Sequence, residues 1–309
     1  MIPTYNRPAL LSGCLEVLVK SCLPSELYEL IVVDDGSPSD VQSVAARFQD
    51  QCQLQFLRQE NKGPAAARNA GAAIARGVFL AFTDDDCRPD PKWLPRLESR
   101  LRGNPDVMVG GRTVNALVPN PYSQASQLIL DVVYRYYNQP DGQARFFASN
   151  NVALARDQFL ELGGFDTSFS RAAGEDRDFC DRWTHRGWKL VYEPEAVVNH
   201  AHALNLFSFC KQHFDYGRGA YRYHELRARR QSGRMWDDTR MHVQLPGLLR
   251  EPLDALSIPQ RCQVVPLLAL WQVANAFGFF RERLVRRRPR HPRALPLGYG
   301  EGGTVRRCP

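Results

Sequence analysis

The chain has 309 residues, 44% hydrophobic and 24% charged, ordinary for a globular protein that buries a full core in one large domain or about two. The net charge of +7 is uneven, because seven Arg between Arg281 and Arg293 face Glu282 alone, a local +6. A nucleic-acid-binding protein would interleave basic and aromatic residues on a domain face, whereas an excess confined to a tail suits an anionic membrane surface. The eight cysteines are scattered without a C-x-x-C pair, which argues against a zinc ribbon or disulfide framework and fits a reducing cytosol. Met1 to Tyr5 has neither the basic start nor the apolar stretch of a signal peptide.

Pro8 opens a helical pattern with Leu11, Leu15, Leu18 and Cys22 on one face, closed by Pro24. Leu30 to Val33 is a β-branched strand running into Asp34-Asp35-Gly36-Ser37, and Val41, Val44, Ala45 and Phe48 repeat at helical spacing after it. Leu54 to Leu57 is a third short strand. Gly63-Pro64 leads into an Ala-rich helix that runs to Arg76 and stops at Gly77. Val78 to Thr83 then reads as a buried parallel strand ending in Asp84-Asp85-Asp86, and a helix from about Pro91 to Gly103 follows.

Strands alternating with helices of this length predict βαβ units and a mostly parallel sheet. Two strands end in acids, Asp34-Asp35 and Asp84 to Asp86. In a doubly wound sheet both clusters line one crevice at the carboxyl edge, where ligands bind. Three adjacent carboxylates repel one another, and a divalent cation relieves the repulsion. No Walker A loop and no G-x-G-x-x-G is present, so phosphates are not cradled by a glycine-rich turn. That weakens a nucleotidyltransferase reading and leaves a metal as the means of holding a diphosphate.

Further along, Val107 to Val109 reads as a strand, residues 121 to 143 as a segment with a short helix near Ile129 to Tyr136, and Phe146 to Leu154 as a strand. Glu175-Asp176 opens a helix through about His185. Trp188 to Tyr192 and Ala196 to Asn199 are closing strands. Helical patterns resume after Leu204, and Val264 to Phe280 is apolar apart from Gln272 and Asn275. At 17 residues it is at the lower limit for a membrane span. Beside an Arg cluster it admits two readings: an anchor embedded in an anionic lipid surface, or a buried helix of a C-terminal subdomain.

The motifs Pro3-Thr4-Tyr5-Asn6-Arg7, Val32 to Ser37, Asn61-Lys62-Gly63, Ala67-Arg68-Asn69, Thr83 to Asp86, Ser149-Asn150-Asn151, Gly163 to Asp166, Gly174-Glu175-Asp176 and Asn199-His200 occur in one order. In that order they resemble an inverting family 2 glycosyltransferase of GT-A fold, over about residues 1 to 205. The resemblance implies a Rossmann-like sheet flanked by helices and a nucleotide-sugar donor (UDP-, GDP- or dTDP-linked). It also implies a glycan or lipid-linked acceptor and Mn2+ or Mg2+ as cofactor. Pro3, Tyr5 and Arg7 would wall the base site, Asp35 would accept a hydrogen bond from the base, Arg68 would lie near the base or phosphates, and Asp84 would reach the ribose. Asp86 would coordinate the metal, with His200 or the competing His202 as a further ligand. Asp176 would be the base that deprotonates the acceptor, and Glu175 would position acceptor or loop. Without the resemblance, both acids serve equally well as negative charge at a helix N-terminus. Arg182-Trp183 lacks the Gln of the processive Q-x-x-R-W signature, since residue 179 is Phe, which favours single-sugar transfer. Because Asp86 and Asp176 are both present, an inactive sugar-nucleotide binder is disfavoured.

The division expected is 1–204 as the GT-A domain, 205–262 as a helical acceptor-side extension, 263–293 as an apolar helix with an Arg-rich segment, and 294–309 as a disordered tail. Only Met1-Ile2 precedes Pro3, where the family has a longer apolar strand. The expectation is a first strand cut short, with neighbouring backbone groups left unpaired. Peripheral attachment to the cytosolic face of a membrane completes the picture.

Overall fold

The computed structural model describes residues 1–138, 144–169 and 173–287. The expected tail at 294–309 lies outside the described residues. In chain order the elements are β1 (Ile2–Thr4), α1 (Pro8–Leu18), β2 (Glu29–Asp34), α2 (Gln42–Ala46), β3 (Gln53–Arg58) and α3 (Pro64–Ile74). Then come β4 (Phe79–Phe82), β5 (Cys87–Pro89), α4 (Trp93–Gly103), β6 (Val107–Asn115), α5 (Pro121–Tyr137), β7 (Val152–Ala155) and α6 (Arg156–Glu161). The chain continues with α7 (Glu175–His185), β8 (Lys189–His200), α8 (Leu206–Arg230), α9 (Met235–Asp254) and α10 (Ile258–Arg287).

The βαβ alternation produces three parallel strands in the order β1-β2-β3, with Thr4 level with Asp34 and Asp34 level with Arg58. Their carboxyl ends therefore share one edge. The remaining strands run β4-β7-β6-β8-β5; β6 and β8 are parallel, and the other pairs are antiparallel. The strand that carries the acidic triplet, β4, pairs antiparallel to β7 on one side, while on the other the bonds of Met1 to Ala81 and Thr83 set it parallel to the β1 segment, as expected. An apolar run reports burial on both faces but not the direction of its partner. Met1 joins the two groups of strands: its amine donates to Ala81 O at 2.9 Å and Thr83 N donates to Met1 O at 3.1 Å. These two bonds pair the Ala81 carbonyl and the Thr83 N–H. Burial lowers the Met1 amine pKa to about 6.

Other differences are local. The 146–154 stretch is strand only over Val152–Ala155, the helix after 121 extends to Tyr137, and the two closing strands are one bulged strand, β8. The bulge follows from Gly111 in β6, where an added Cβ would collide with Ala196 O. Asn151, fully buried, locks that region: its Oδ1 accepts from Trp93 Nε1 at 2.8 Å and its Nδ2 donates to Ala196 O at 3.0 Å.

Apolar packing falls into three bodies. One stacks Phe82, Phe159, Phe165 and Phe179 between the strands and α6–α7, and a second packs Ile2, Leu11, Leu15, Trp93 and Leu97 on the other face. The third, around Val132, Phe209, Val264 and Trp271, unites α5, α8, α9 and α10. Here α8 and α10 cross at Gly217 and Gly278; a Cβ at either would collide with the other helix's backbone, at Asn275 O or Phe214 O. Helix α10 starts at Ile258, so the divide expected at 262/263 falls inside it. One face of α10 is buried against α8, and on the other Val265, Val273, Phe277, Phe280 and Leu284 are exposed at helical spacing. The buried face fits the reading of a helix packed in a C-terminal subdomain.

Replacing Asn151 by Leu leaves the Trp93 N–H buried without its partner, at about 1–3 kcal/mol. Urea denaturation should show a midpoint lowered accordingly, with the slope unchanged.

Candidate active site

The site begins at the carboxyl edge of β1–β3, where the loops are tied to one another through the side chains of the second acidic pair. Asp34 Oδ1 accepts from Ser37 N at 2.9 Å, and Ser37 Oγ accepts from Asn6 N at 2.7 Å. Asp35 Oδ1 accepts from Gln59 Nε2 at 2.7 Å and Lys62 N at 2.9 Å, and Oδ2 accepts from Gly63 N at 2.8 Å. One lone pair of Oδ2 remains for a ligand. Pro3 is buried in β1, while Tyr5 is exposed beyond its end.

The acidic triplet divides three ways. Asp84 is partly exposed and accepts from Arg68 Nη2 at 2.6 Å. Asp85 is buried. Its Oδ2 accepts from Thr4 Oγ1 at 2.8 Å and its Oδ1 from Arg7 Nη1 at 3.2 Å. Burial raises its pKa to about 6, against the pull of Arg7. Asp86 meets Arg7 at 3.1 Å, His200 Nε2 at 3.2 Å and His202 Nδ1 at 3.2 Å. Arg7 is thus placed on the acids.

Strand register explains the Asp86 cluster. Cys87 pairs with His200 across β5–β8, and Ala201 N donates to Asp86 O at 2.8 Å, so both imidazoles flank the Asp86 carboxylate. Residues two apart on extended chain share a face, so His200-Ala201-His202 could have been read as a paired set. The rings stack at 5.0 Å between centroids. Burial alone would raise the Asp86 pKa, but hydrogen bonds and charge from the two imidazoles hold it well below the usual range. The Asp86 oxygen and the two imidazole nitrogens lie within 4.8 Å of one another. One carboxylate oxygen with two imidazole nitrogens is a donor set that fits a divalent ion such as Mn2+. Sequence reasoning missed Gln212 on α8, whose Oε1 lies 2.9 Å from His202 Nε2. A Gln212 oxygen that accepts from Nε2–H would leave Nδ1 with a lone pair for a bound ion, whereas the bond to the Asp86 carboxylate uses Nδ1–H.

Opposite this cluster stands the α7 N-terminus. Gly174 adopts φ +95° and packs on Gly219 of α8, so a side chain there would be strained and crowded. Arg68, on α3 and 3% exposed, donates to Glu175 Oε1 at 3.3 Å as well as to Asp84, and so joins the triplet to α7. Burial pushes Glu175 up to about 7, with the neighbouring Asp176 adding to the rise. Asp176 is raised as well, first by burial, although its Oδ1 accepts from Arg177 N at 2.7 Å.

A cavity of about 1070 Å³ collects Arg7, Arg68, Asp84, Glu175, Asp176, His200 and His202 on one side. Its other walls are Ile129, Val133, Met241, Trp271 and Phe279, from α5, α9 and α10. Pro3, Tyr5 and Asp35 lie beside it at the β1–β2 edge and do not line it.

Because Glu175 titrates higher folded than unfolded, the folded chain binds the extra proton between about pH 4.5 and 7. Glu175 therefore contributes stability below that window, and the contribution is lost as pH rises through about 7. Thermal unfolding of wild type and Glu175→Gln from pH 4.5 to 8 should show the variant gaining on wild type across this window. Parallel curves would refute the assignment.

The glycosyl transferase family 2 profile matches residues 1–163. Among curated proteins the chain is 28% identical over 223 residues to the glycosyltransferase AglE of Haloferax volcanii, covering 71% of each chain. It is 33% identical over 199 residues to the pre-mycofactocin glycosyltransferase of Mycobacterium tuberculosis, covering 62% of this chain but only 41% of that one. Among solved structures, the mannosyltransferase PcManGT of Pyrobaculum calidifontis, in complex with GDP-Man and Mn2+, superposes with a TM-score of 0.62 at 18% identity. The match covers 92% of this chain and 85% of that one, and it shows a shared GT-A fold. With the profile spanning more than half of its length, the chain belongs to glycosyl transferase family 2.

Proposed function

We propose that the chain is a metal-dependent, inverting transferase that moves one sugar from a nucleotide diphosphate to a hydroxyl of a glycan or lipid-linked acceptor. The observation that carries this reading is the shared cavity. It holds, on one wall, the two imidazoles that flank the Asp86 carboxylate and, on another, the half-buried Asp176 carboxylate of raised pKa, with Arg68 between them.

In this reading Tyr5 stacks on the base above the buried Pro3, and Asp35 Oδ2 accepts from it. Asp84 takes a ribose hydroxyl, and Arg7 and Arg68 lie towards the phosphates. Asp86, His200 and His202 would hold Mn2+ or Mg2+, which when bound supplies Lewis-acid stabilisation of the leaving diphosphate. The two nitrogen ligands favour Mn2+ over Mg2+. The acceptor oxygen attacks the anomeric carbon opposite the diphosphate, the carbon–oxygen bond to phosphate breaks, and the acceptor proton passes to the Asp176 carboxylate. Attack from the opposite face inverts the centre. A carboxylate whose pKa burial has raised is the stronger base, which suits Asp176 to that step. Glu175, held by Arg68, keeps the α7 N-terminus in place.

The donor is a UDP-, GDP- or dTDP-sugar. The mannosyltransferase relative binds GDP-Man and Mn2+, which supports the class of donor and ion without choosing among them.

Titration calorimetry with a nucleotide-sugar panel and Mn2+ tests both halves of the site. Asp86→Ala should lose Mn2+-dependent donor binding; binding that is unchanged with and without Mn2+ overturns the metal assignment. Asp176→Asn should bind donor normally and lose transfer by about 100-fold or more, the scale of a general base. Retained turnover would exclude Asp176 from that role.

The setting is the cytosolic face of a membrane, with α10 lying on the surface. A spanning path is disfavoured because α10 is packed on α8 and its Glu282 pairs with Arg218 at 2.8 Å. Its exposed apolar stripe continues into the Arg-rich sequence that would meet anionic headgroups. Co-sedimentation with phosphatidylglycerol vesicles should exceed that with phosphatidylcholine and fall sharply in Phe277→Asp/Leu284→Asp. Equal sedimentation of the variant removes the surface role.

A further inference from the structure

His213 on α8 is 1% exposed, lines the cavity, and has no hydrogen-bond partner at either ring nitrogen among the described residues. Gln272 on α10 lines the same cavity, and its Nε2 is likewise buried without a partner among the described residues. Native interiors pair such groups almost without exception. Two unpaired neutral groups on facing helices of one cavity therefore mark a place where a ligand supplies the missing bonds. Around them are ring faces: Phe209 stands 4.3 Å and Trp271 6.4 Å from the His213 ring, centroid to centroid.

We propose that His213, Gln272 and Trp271 form a subsite for a neutral, hydroxyl-bearing ring of the acceptor, a sugar unit rather than a phosphate. The inference rests on the reading of this cavity as a glycosyltransferase site and names the part of the acceptor it takes. A neutral imidazole offers one donor and one acceptor and a carboxamide adds donors, which matches hydroxyl groups. An anion asks for cations instead. Burial holds His213 neutral, its pKa lowered to about 4. Of the charged residues on the α8 wall, Lys211 and Asp215 pair with each other at 2.9 Å. Arg283 stands eleven residues further along α10, its Cα about 16 Å from that of Gln272 by helix rise. The indole of Trp271 gives a flat apolar surface for the C–H face of a sugar ring.

Saturation-transfer NMR with methyl glycosides (glucoside, galactoside, mannoside and N-acetylglucosaminide) and methyl phosphate provides the test. For wild-type protein, at least one glycoside should receive transfer at its ring protons, and methyl phosphate should not compete. His213→Phe and Gln272→Leu should each weaken that glycoside about tenfold, the scale of a lost hydrogen bond to a neutral ligand. The melting temperature should hold or rise in both, because each removes a buried polar group that nothing else satisfies. A purely structural role predicts the opposite: lowered melting with glycoside binding unaltered. No transfer to any glycoside, undiminished transfer in both variants, or displacement by methyl phosphate overturns the proposal. Donor titration with Mn2+ on the same samples keeps the two readings apart. Donor binding without glycoside binding sinks the subsite alone, and absent donor binding in wild type sinks the parent reading.

Discussion

The pairing of β5 with β8 is the constraint on which the site depends. A three-residue strand has little to fix it beyond its ladder, yet its register decides what flanks Asp86. With Cys87 level with His200, the carboxylate sits between two imidazoles. One residue of slip would turn the alternate side chains to the other face and separate them. The rest of the molecule reinforces that register. Asn199 Nδ2 donates to Arg88 O at 3.2 Å, and Asp90 N donates to Val197 O at 2.9 Å. The β8 bulge that Gly111 and Asn151 accommodate lies upstream of the paired segment and absorbs the offset with β6.

Around this frame, charge is arranged in pairs that could not stand singly. Arg68 is almost wholly buried and is tolerated because Asp84 and Glu175 both take its donors. The consequence is geometric. The acid expected at the ribose and the loop carrying Asp176 are fastened to one guanidinium, although 92 residues separate Asp84 from Asp176. Asp85 plays a similar part on the other side by holding Thr4 and Arg7. A residue to which the sequence assigned no role is thus the link between the β1 edge and the triplet.

What was legible in the sequence was mainly what period and punctuation encode. The β2, β3, α3 and α7 boundaries lie within a few residues of expectation because Gly, Pro and acidic residues mark them. The antiparallel pairing of β4 with β7 was not legible, since alternation and burial are the same for parallel and antiparallel partners. The roles of Asp84, Asp85 and Asp86 could not be told apart by type; only burial and partners distinguish three identical side chains. The contribution of α8 was invisible for another reason. Gln212 and His213 are ordinary polar residues on a helix whose amphipathic pattern assigns them no face of special note.

That helix changes how the chain divides. Sequence periodicity sets residues after 204 apart as an extension, and α8 does pack its own core with α5, α9 and α10. Yet Gln212 reaches His202, and Gly219 receives the Ala173-Gly174 turn that precedes Glu175 and Asp176. Both the Asp86–His200–His202 cluster and the carboxylate opposite it are therefore seated on α8. Helix α10 crosses α8 so closely at Gly217 and Gly278 that no side chain separates their backbones. A force on the exposed face of α10 is consequently passed to α8 through rigid contact, with no intervening side chain to yield. Contact of that face with a surface would bear on the geometry of the site itself, so the C-terminal helices belong to the catalytic unit and not merely beside it.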